Sequence, residues 1–327
     1  MLRVFVRAAF VLLAVGGLIG LPAANTAIGL AVTNGSFQVD HSRVWGNTTL
    51  FDGSIIETAK ASSQLQLNGG VGMRLAAESR ARVYRRRLVL EYGYGQLESA
   101  VDYEVEARSL HISVAAPDTV ARVRVENGHN VLVAALRGAV RVTNASGVLV
   151  ANLEAGRSLT FEPQAAGAAA PTRASGCVLE KSGKIILVEQ ITNVVLELQG
   201  AGLESEIGNR VEITGIAETV PPTVPGASQV IKVAGVKRLS KGGCASVAKK
   251  VGGSAAAAGA GAGAAAGAAA GTGAATAAGA AGAATAAGIG AGTIAVIGGV
   301  AVAATLGGLA AVGDLPGQGD STPAASR

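Results

Sequence analysis

Aromatic side chains are scarce in this sequence, and beyond Phe161 there are none. The 5 Phe, 4 Tyr and 1 Trp of the 327-residue chain all lie at or before that position. Whatever folds after it must therefore pack on aliphatic side chains alone. Cysteine is rarer still, at 2, too few ligands for a zinc site without partners. The 3 histidines, His41, His111 and His129, stand far apart and show no metal-ligand spacing, so they read as core or surface residues and no metal or other cofactor is expected. No nucleophile elbow, Walker loop or paired-histidine zinc motif occurs, so no enzyme is expected. Charge is also modest: the formal value of +5 drops by two if Arg3 and Arg7 leave with a signal peptide, which is ordinary solvation rather than a nucleic-acid footprint.

What is present begins with an export pattern. MLRVFVR is a short basic segment, and Ala8 to Leu21 is a fourteen-residue apolar run broken by Pro22. Small residues follow to Ala27, allowing cleavage after Ala24 or Ala27. This three-part build predicts a signal peptide over residues 1–27; the run is shorter than the roughly 20 residues of a spanning helix, and an uncleaved anchor is the alternative. No cysteine lies near the site to carry a lipid.

From Phe37 to Phe161 the chain reads as short strands punctuated by glycine turns. In VDYEVEAR, Asp102, Glu104, Glu106 and Arg108 would share one strand face, with Val101, Tyr103, Val105 and Ala107 on the other. Strands every eight to twelve residues predict a mainly β fold, either a sandwich or a short solenoid. Over Val44 to Glu162 the chain resembles the FecR-like domains of bacterial envelope proteins. The residues that carry the resemblance are LFDGSIIET with Gly53 and Thr58, then Leu65, Leu67 and Met73-Arg74-Leu75, then LVLEYGYGQL with Gly93 and Gly95, and GAVRVTNASGVLVANLEAGRSLTF with Gly138 and Gly156. Many members of that family carry an Arg-Gly-Thr turn where this chain has APDTVARVRVENG. The resemblance implies an extracytoplasmic β domain over 28–162. It also implies a second role to weigh, a sensory subunit that works with a separate cytoplasmic partner, because only MLRVFVR precedes the apolar run and no cytoplasmic arm is present in it.

After a linker at 163–174, five strand-like runs occupy 175–245: CVLE, KIILVE, NVVLELQG, RVEITGIAE and QVIKVAGVKRL, with AGLESEIG between the third and fourth. This order resembles the OB-fold, a small five-stranded barrel. Cys177 and Cys244 bracket it, and in an oxidising compartment they predict an intramolecular disulfide; two free thiols or a bridge between chains are the alternatives. Single-strand nucleic-acid binding needs aromatic platforms in a basic groove. This unit has no aromatic residue, and seven glutamates balance its Lys and Arg, so nucleic acid is excluded.

Residues 246–288 collapse into Gly, Ala and Thr and read as a low-complexity tether. Ile289 to Gly313 is 25 uncharged residues, long enough as a helix to exceed the roughly 30 Å hydrocarbon core. Gly299, Ala303, Gly307 and Ala311 recur every fourth place and predict a close-packing helix face, suited to membrane anchoring or to a homo-oligomer. Residues 314–327 read as a disordered tail.

Two candidate binding features remain. Arg80, Arg82, Arg85, Arg86 and Arg87 form the dense basic run. On a strand Arg80, Arg82 and Arg86 share a face with Tyr84 and could grip phosphate on a glycan or lipid headgroup; the plainer reading is a charged edge strand that resists edge-to-edge pairing. Tyr92 and Tyr94, two residues apart, would share a strand face and could stack on a sugar, or pack against the sheet. Together these features predict a non-catalytic periplasmic or envelope protein, membrane-anchored by its C-terminal helix, that binds or scaffolds envelope glycan or protein.

Overall fold

The computed structural model describes residues 26–98, 102–126, 130–163, 172–256, 294–297 and 299–304. They are mainly β, and period-two burial explains why. In β3 (Ser54–Thr58), β4 (Ser63–Leu67) and β5 (Val71–Leu75) every second residue is buried, so one face of each strand turns inward. That face is wholly apolar in β5, while Ser54 and Thr58 flank Ile56 in β3 and Ser63 precedes Leu65 in β4. β1 (Ala27–Val39), β6 (Arg80–Val83) and β7 (Arg87–Glu98) complete the first group. Pairing runs β1–β3–β6–β7–β5–β4 and returns to β1, a closed six-stranded ring. Phe37, Ile56, Leu65, Leu75, Leu88 and Leu90 are buried in the apolar core, each worth about 1.5–3 kcal/mol on transfer from water. Closure replaces the sandwich or solenoid expected from alternation, which reports that one face is buried but not whether the sheet meets itself. β2 (Ser42–Phe51) lies outside the ring and pairs with β1.

β7 is the strand on which the first unit turns. Its early residues pair with β6 and its later ones with β5 and with β10 (Val120–Val125). The partner change falls at a bulge, where Arg80 pairs with Tyr92 but Ala81 pairs with Leu90. Gly93 follows at φ 91°, and a Cβ there would stand 2.5 Å from the Ser79 Cα. The position is closed to side chains by both conformation and space. Beyond β7, the sheet continues in one direction through β10, β11 (Val131–Arg137) and β14 (Arg157–Pro163). In the other it runs through β8 (Glu104–Ala107), β9 (Leu110–Val114), β12 (Val140–Asn144) and β13 (Leu149–Leu153). Tyr103, Val105 and Ala107 are buried, as the alternation in VDYEVEAR predicts; Val101 lies outside the described residues.

The second unit is built from β15 (Thr172–Lys181), β16 (Lys184–Glu189), β17 (Val195–Gln199), β18 (Arg210–Glu218) and β19 (Ala227–Ser240). These close in the order β15–β16–β17–β19–β18, with β17 and β19 parallel and the other pairs antiparallel. A single 3-10 turn, Leu203–Glu206, falls between β17 and β18. Val178, Leu187, Leu196, Val211, Ile213 and Ile231 belong to the same apolar core as the first unit. The opposite face of β15 and β16 carries Cys177, Leu179, Ile186 and Val188, covered by Val224, Cys244 and Ala248. Ala248 belongs to a helix, Ala245–Val251, where a low-complexity tether was expected from residue 246. Ser254 then bridges to Glu180 by two backbone hydrogen bonds of 2.9 and 2.7 Å. Residues 257–293 lie outside the described set.

The C-terminal apolar run is corrected. β20 (Ile294–Ile297) and β21 (Val300–Ala304) form a hairpin, turning at Gly299 with φ 74°, where a helix over 289–313 was expected. β21 pairs with β14, and β20 pairs with β15, so the hairpin bridges the two units. Ala295, Ile297, Val300 and Val302 are buried in the shared core. β-branched residues that crowd a helix suit this pleated, covered position. The helix face expected from Gly299 and Ala303 is therefore absent, and with it the basis for oligomerisation through that face; Gly307 and Ala311 lie outside the described residues, as do 1–25 and the tail. No helix among the described residues is long and apolar enough to cross a membrane.

Candidate binding surfaces

The basic run of the sequence is largely neutralised. β6 lies between β3 and β7, so it is no edge strand, and its polar face meets carboxylates from neighbouring strands. Arg80 contacts Glu57 at 3.1 Å and Glu91 at 2.9 Å, while Arg82 reaches Glu91 at 3.7 Å. Glu91 is the extra residue of the bulge, which is why it can face both arginines. Arg86 falls in the turn between β6 and β7, outside the strand alternation that would have aligned it with Arg80 and Arg82. Tyr84 does meet an arginine, but it is Arg87, stacked 5.0 Å from the ring and paired with Glu106 at 3.7 Å. A surface with this many internal carboxylates is poorly suited to gripping phosphate, and the anion platform does not assemble.

The two tyrosines both follow the bulge, Tyr92 opposite Arg80 and Tyr94 opposite Arg124, and they differ in cover. Tyr94 is buried with Ala76, Leu132 and Ala134, and the Arg122 guanidinium stands 6.0 Å from its ring. Tyr92 is 39% exposed. Its hydroxyl donates to Glu57 at 3.3 Å, and burial first, then the Glu57 charge, push that hydroxyl above its ordinary pKa. Tyr92 borders a groove of about 520 Å³ shared with Ser36, Phe37, Gln38, Arg43, Glu57, Thr58, Ala59 and Glu78. Thr58 sits at its base, where its hydroxyl donates to Ala76 O at 2.5 Å and accepts from Ser79 N–H at 2.9 Å. Sequence reasoning missed the second aromatic beside this groove. Trp45 is 70% exposed, pairs across the ladder with the groove residue Ser36, and stacks 5.7 Å from the guanidinium of the groove residue Arg43. The signal available was its position in a strand with few apolar residues, which leaves a large ring on a wet face.

No family model matches the chain, and no curated protein does. The chemistry must be read from the geometry. Among the described residues no three His, Cys, Asp or Glu side chains converge on a metal site. His111 lies 3.4 Å from Glu104, away from the groove residues, and His129 lies outside the described set.

Cys177 and Cys244 are joined in a disulfide, with Cα atoms 5.6 Å apart. Near it, two glutamates on adjacent strands are shifted in opposite directions. Glu189 is buried with 0% exposure. Desolvation raises its pKa, and this outweighs hydrogen bonds from Thr192, Ile191 and Ser175 that pull it down. For Glu197 burial also pushes upward, but Thr223 N–H at 2.6 Å, Val224 N–H at 3.1 Å and the Thr223 hydroxyl outweigh it and hold the carboxyl below the usual range. Glu197 thereby pins the loop that covers the outer face of the barrel. The linkage signs follow. Above about pH 4.3 unfolded chains lose the Glu189 proton while the folded chain keeps it, so this group erodes stability as pH rises toward its folded value. Glu197 contributes stability above that pH and loses it as pH falls through its lower folded value. Melting curves of Glu189→Gln and Glu197→Gln against wild type should therefore diverge in opposite senses on raising the pH from about 3 to about 8, the first gaining on wild type and the second losing. Parallel curves would contradict both assignments.

Proposed function

We propose that this protein is a non-catalytic, exported envelope module that binds glycan in the Tyr92 groove. The observation that carries the reading is the groove itself. An exposed Tyr92 lies among carboxylates, an amide and an arginine, and Trp45 stacks on that arginine, Arg43. Aromatic faces with flanking hydrogen-bonding groups suit a sugar ring, whose apolar face needs cover and whose hydroxyls need partners. Export is supported by the basic segment and apolar run of the first 27 residues and by the oxidised cysteine pair, since disulfides persist in oxidising compartments.

The FecR-like reading of the first unit is supported by its glycines. Gly53, Gly93, Gly138 and Gly156 all hold positive φ, so the residues of the resemblance are those the backbone needs. The OB-like reading of the second unit is supported by its ring order and by the parallel third and fifth strands. In OB-folds the face of the second and third strands is a common ligand platform. Here Ile186 and Val188 of the second strand and Val195 of the third pack against the chain's own helix and Val224, which argues for a ligand on the first unit instead.

Co-sedimentation with purified peptidoglycan sacculi tests the reading. Tyr92→Ala and Trp45→Ala should each weaken binding roughly tenfold with unchanged melting temperatures. Wild-type protein that stays in the supernatant, or binding untouched by both changes, would remove the glycan. Mature chain found in the cytosol on fractionation would remove the envelope.

A further inference from the structure

A second cavity, of about 380 Å³, opens between the two units, walled by β13, by one end of the barrel and by the Ala245–Val251 helix. Its size is that of a small-molecule pocket. The apolar wall comes from both units and the helix, with Leu149, Val188, Val195, Val247 and Val251. Across this wall the units are fixed to one another: Asn152 N–H donates to Thr192 O at 2.7 Å, and Lys250 pairs with Glu154. A pocket assembled by three independent pieces of chain and held by bonds between them is preorganised, which lowers the ordering cost of binding.

The charges in this pocket do not balance. Lys250 and Glu154 satisfy each other. Glu189 lies in the wall, but burial favours its neutral form. Arg210 remains. Its guanidinium makes a long bond, Nη1 to Gln190 Oε1 at 3.5 Å, and no carboxylate lies within ion-pair distance of it among the described residues. Arginine stays charged, and its planar fork matches an oxyanion in two bonds. We infer that the inter-unit pocket binds a small amphipathic anion, with a carboxylate or phosphate head on Arg210 and an aliphatic body against the valine wall. Asn193 and Gln190, which also line the cavity, supply the amides that an oxyanion head would use besides the guanidinium. The inference is independent of the glycan groove, which lies on the first unit.

Calorimetric titration of the full disulfide-bonded chain tests it, with octanoate, octyl phosphate, octanol and acetate as probes. Octanoate should bind at one site per chain, and octyl phosphate at the same site in competition. Octanol should bind at least tenfold more weakly, and acetate should not bind. Arg210→Gln should cost octanoate about tenfold or more, the loss of one charge-assisted contact, while leaving octanol unchanged. Val247→Phe, which fills the wall without touching the head group, should abolish all binding. Octanoate no tighter than octanol, or unaffected by Arg210→Gln in a variant that melts normally, overturns the anion. No heat with any alkyl probe overturns the pocket. Octyl phosphate bound alone, without octanoate, overturns the shared head-group site.

Discussion

Replacing Cys177 and Cys244 with serine is expected to cost about 4 kcal/mol, from the entropy of a loop of this size in the unfolded chain. The bridge spans a sequence separation of 67 and so encloses nearly the whole barrel. Its local effect is larger than the average suggests. The Ala245–Val251 helix has seven residues, too few to hold itself in water, and Cys244 stands at its N-terminus without a side-chain capping bond. The disulfide substitutes for that cap and presses Ala248 onto Leu179, Ile186 and Val188. Without it, an aliphatic patch with no aromatic neighbour must be covered by a helix that lacks an anchor. Guanidinium unfolding of oxidised wild type, reduced wild type and the double serine variant measures the loss, and limited proteolysis should show new cleavage between 245 and 256 in the last two. Coincident unfolding curves with unchanged proteolysis would show that the helix is held by packing alone. The same energetics bear on the proposed export, since reducing conditions would remove that contribution.

Much of this second unit was legible, because its signals are local. The five apolar runs and the AGLESEIG insert fall on β15 to β19 and the 3-10 turn, and the burial of Tyr103, Val105 and Ala107 follows from alternation in the first unit. What was not legible depends on residues distant in sequence. Glu57 and Glu106 neutralise Arg80 and Arg87 from other strands, so the basic run looked free. Tyr92 and Tyr94 keep the expected spacing but differ in cover, because Ala76, Leu132 and Ala134 pack on Tyr94 from other strands and loops while Tyr92 stays exposed. The inter-unit pocket draws on Leu149, Arg210 and Val251, which no spacing rule connects. The C-terminal run failed for another reason. Small residues at every fourth position are a helix-packing pattern only if the segment is a helix, and between 294 and 304 the β-branched residues and Gly299 decide otherwise.

That hairpin carries the second large effect. Val302 is 0% exposed, faces Phe161 across the β14 ladder and pairs with Ala295 in β20. Val302→Asp would bury an unpaired carboxylate there, and the expected cost is about 3–5 kcal/mol, more than the hairpin's few pairings can offset. The hairpin should then leave the sheet. β14 would lose its outer partner and β15 would lose Val296 opposite Arg173, so two strand edges would open at the junction of the units. Open edges of this kind recruit other strands. The expected result is a lower melting temperature together with concentration-dependent association, read by light scattering, and protease cutting near 294–304. Val302→Ala, which removes two methyl groups without adding charge, should cost less and leave the protein monodisperse relative to wild type. Equal stability of Val302→Asp and wild type would mean that residues 294–304 do not insert between β14 and β15. Among the described residues the units would then be joined through Asn152, Thr192, Asn193, Glu154, Lys250 and the core around them, and the pocket between them would lose the clamp that keeps its walls in register.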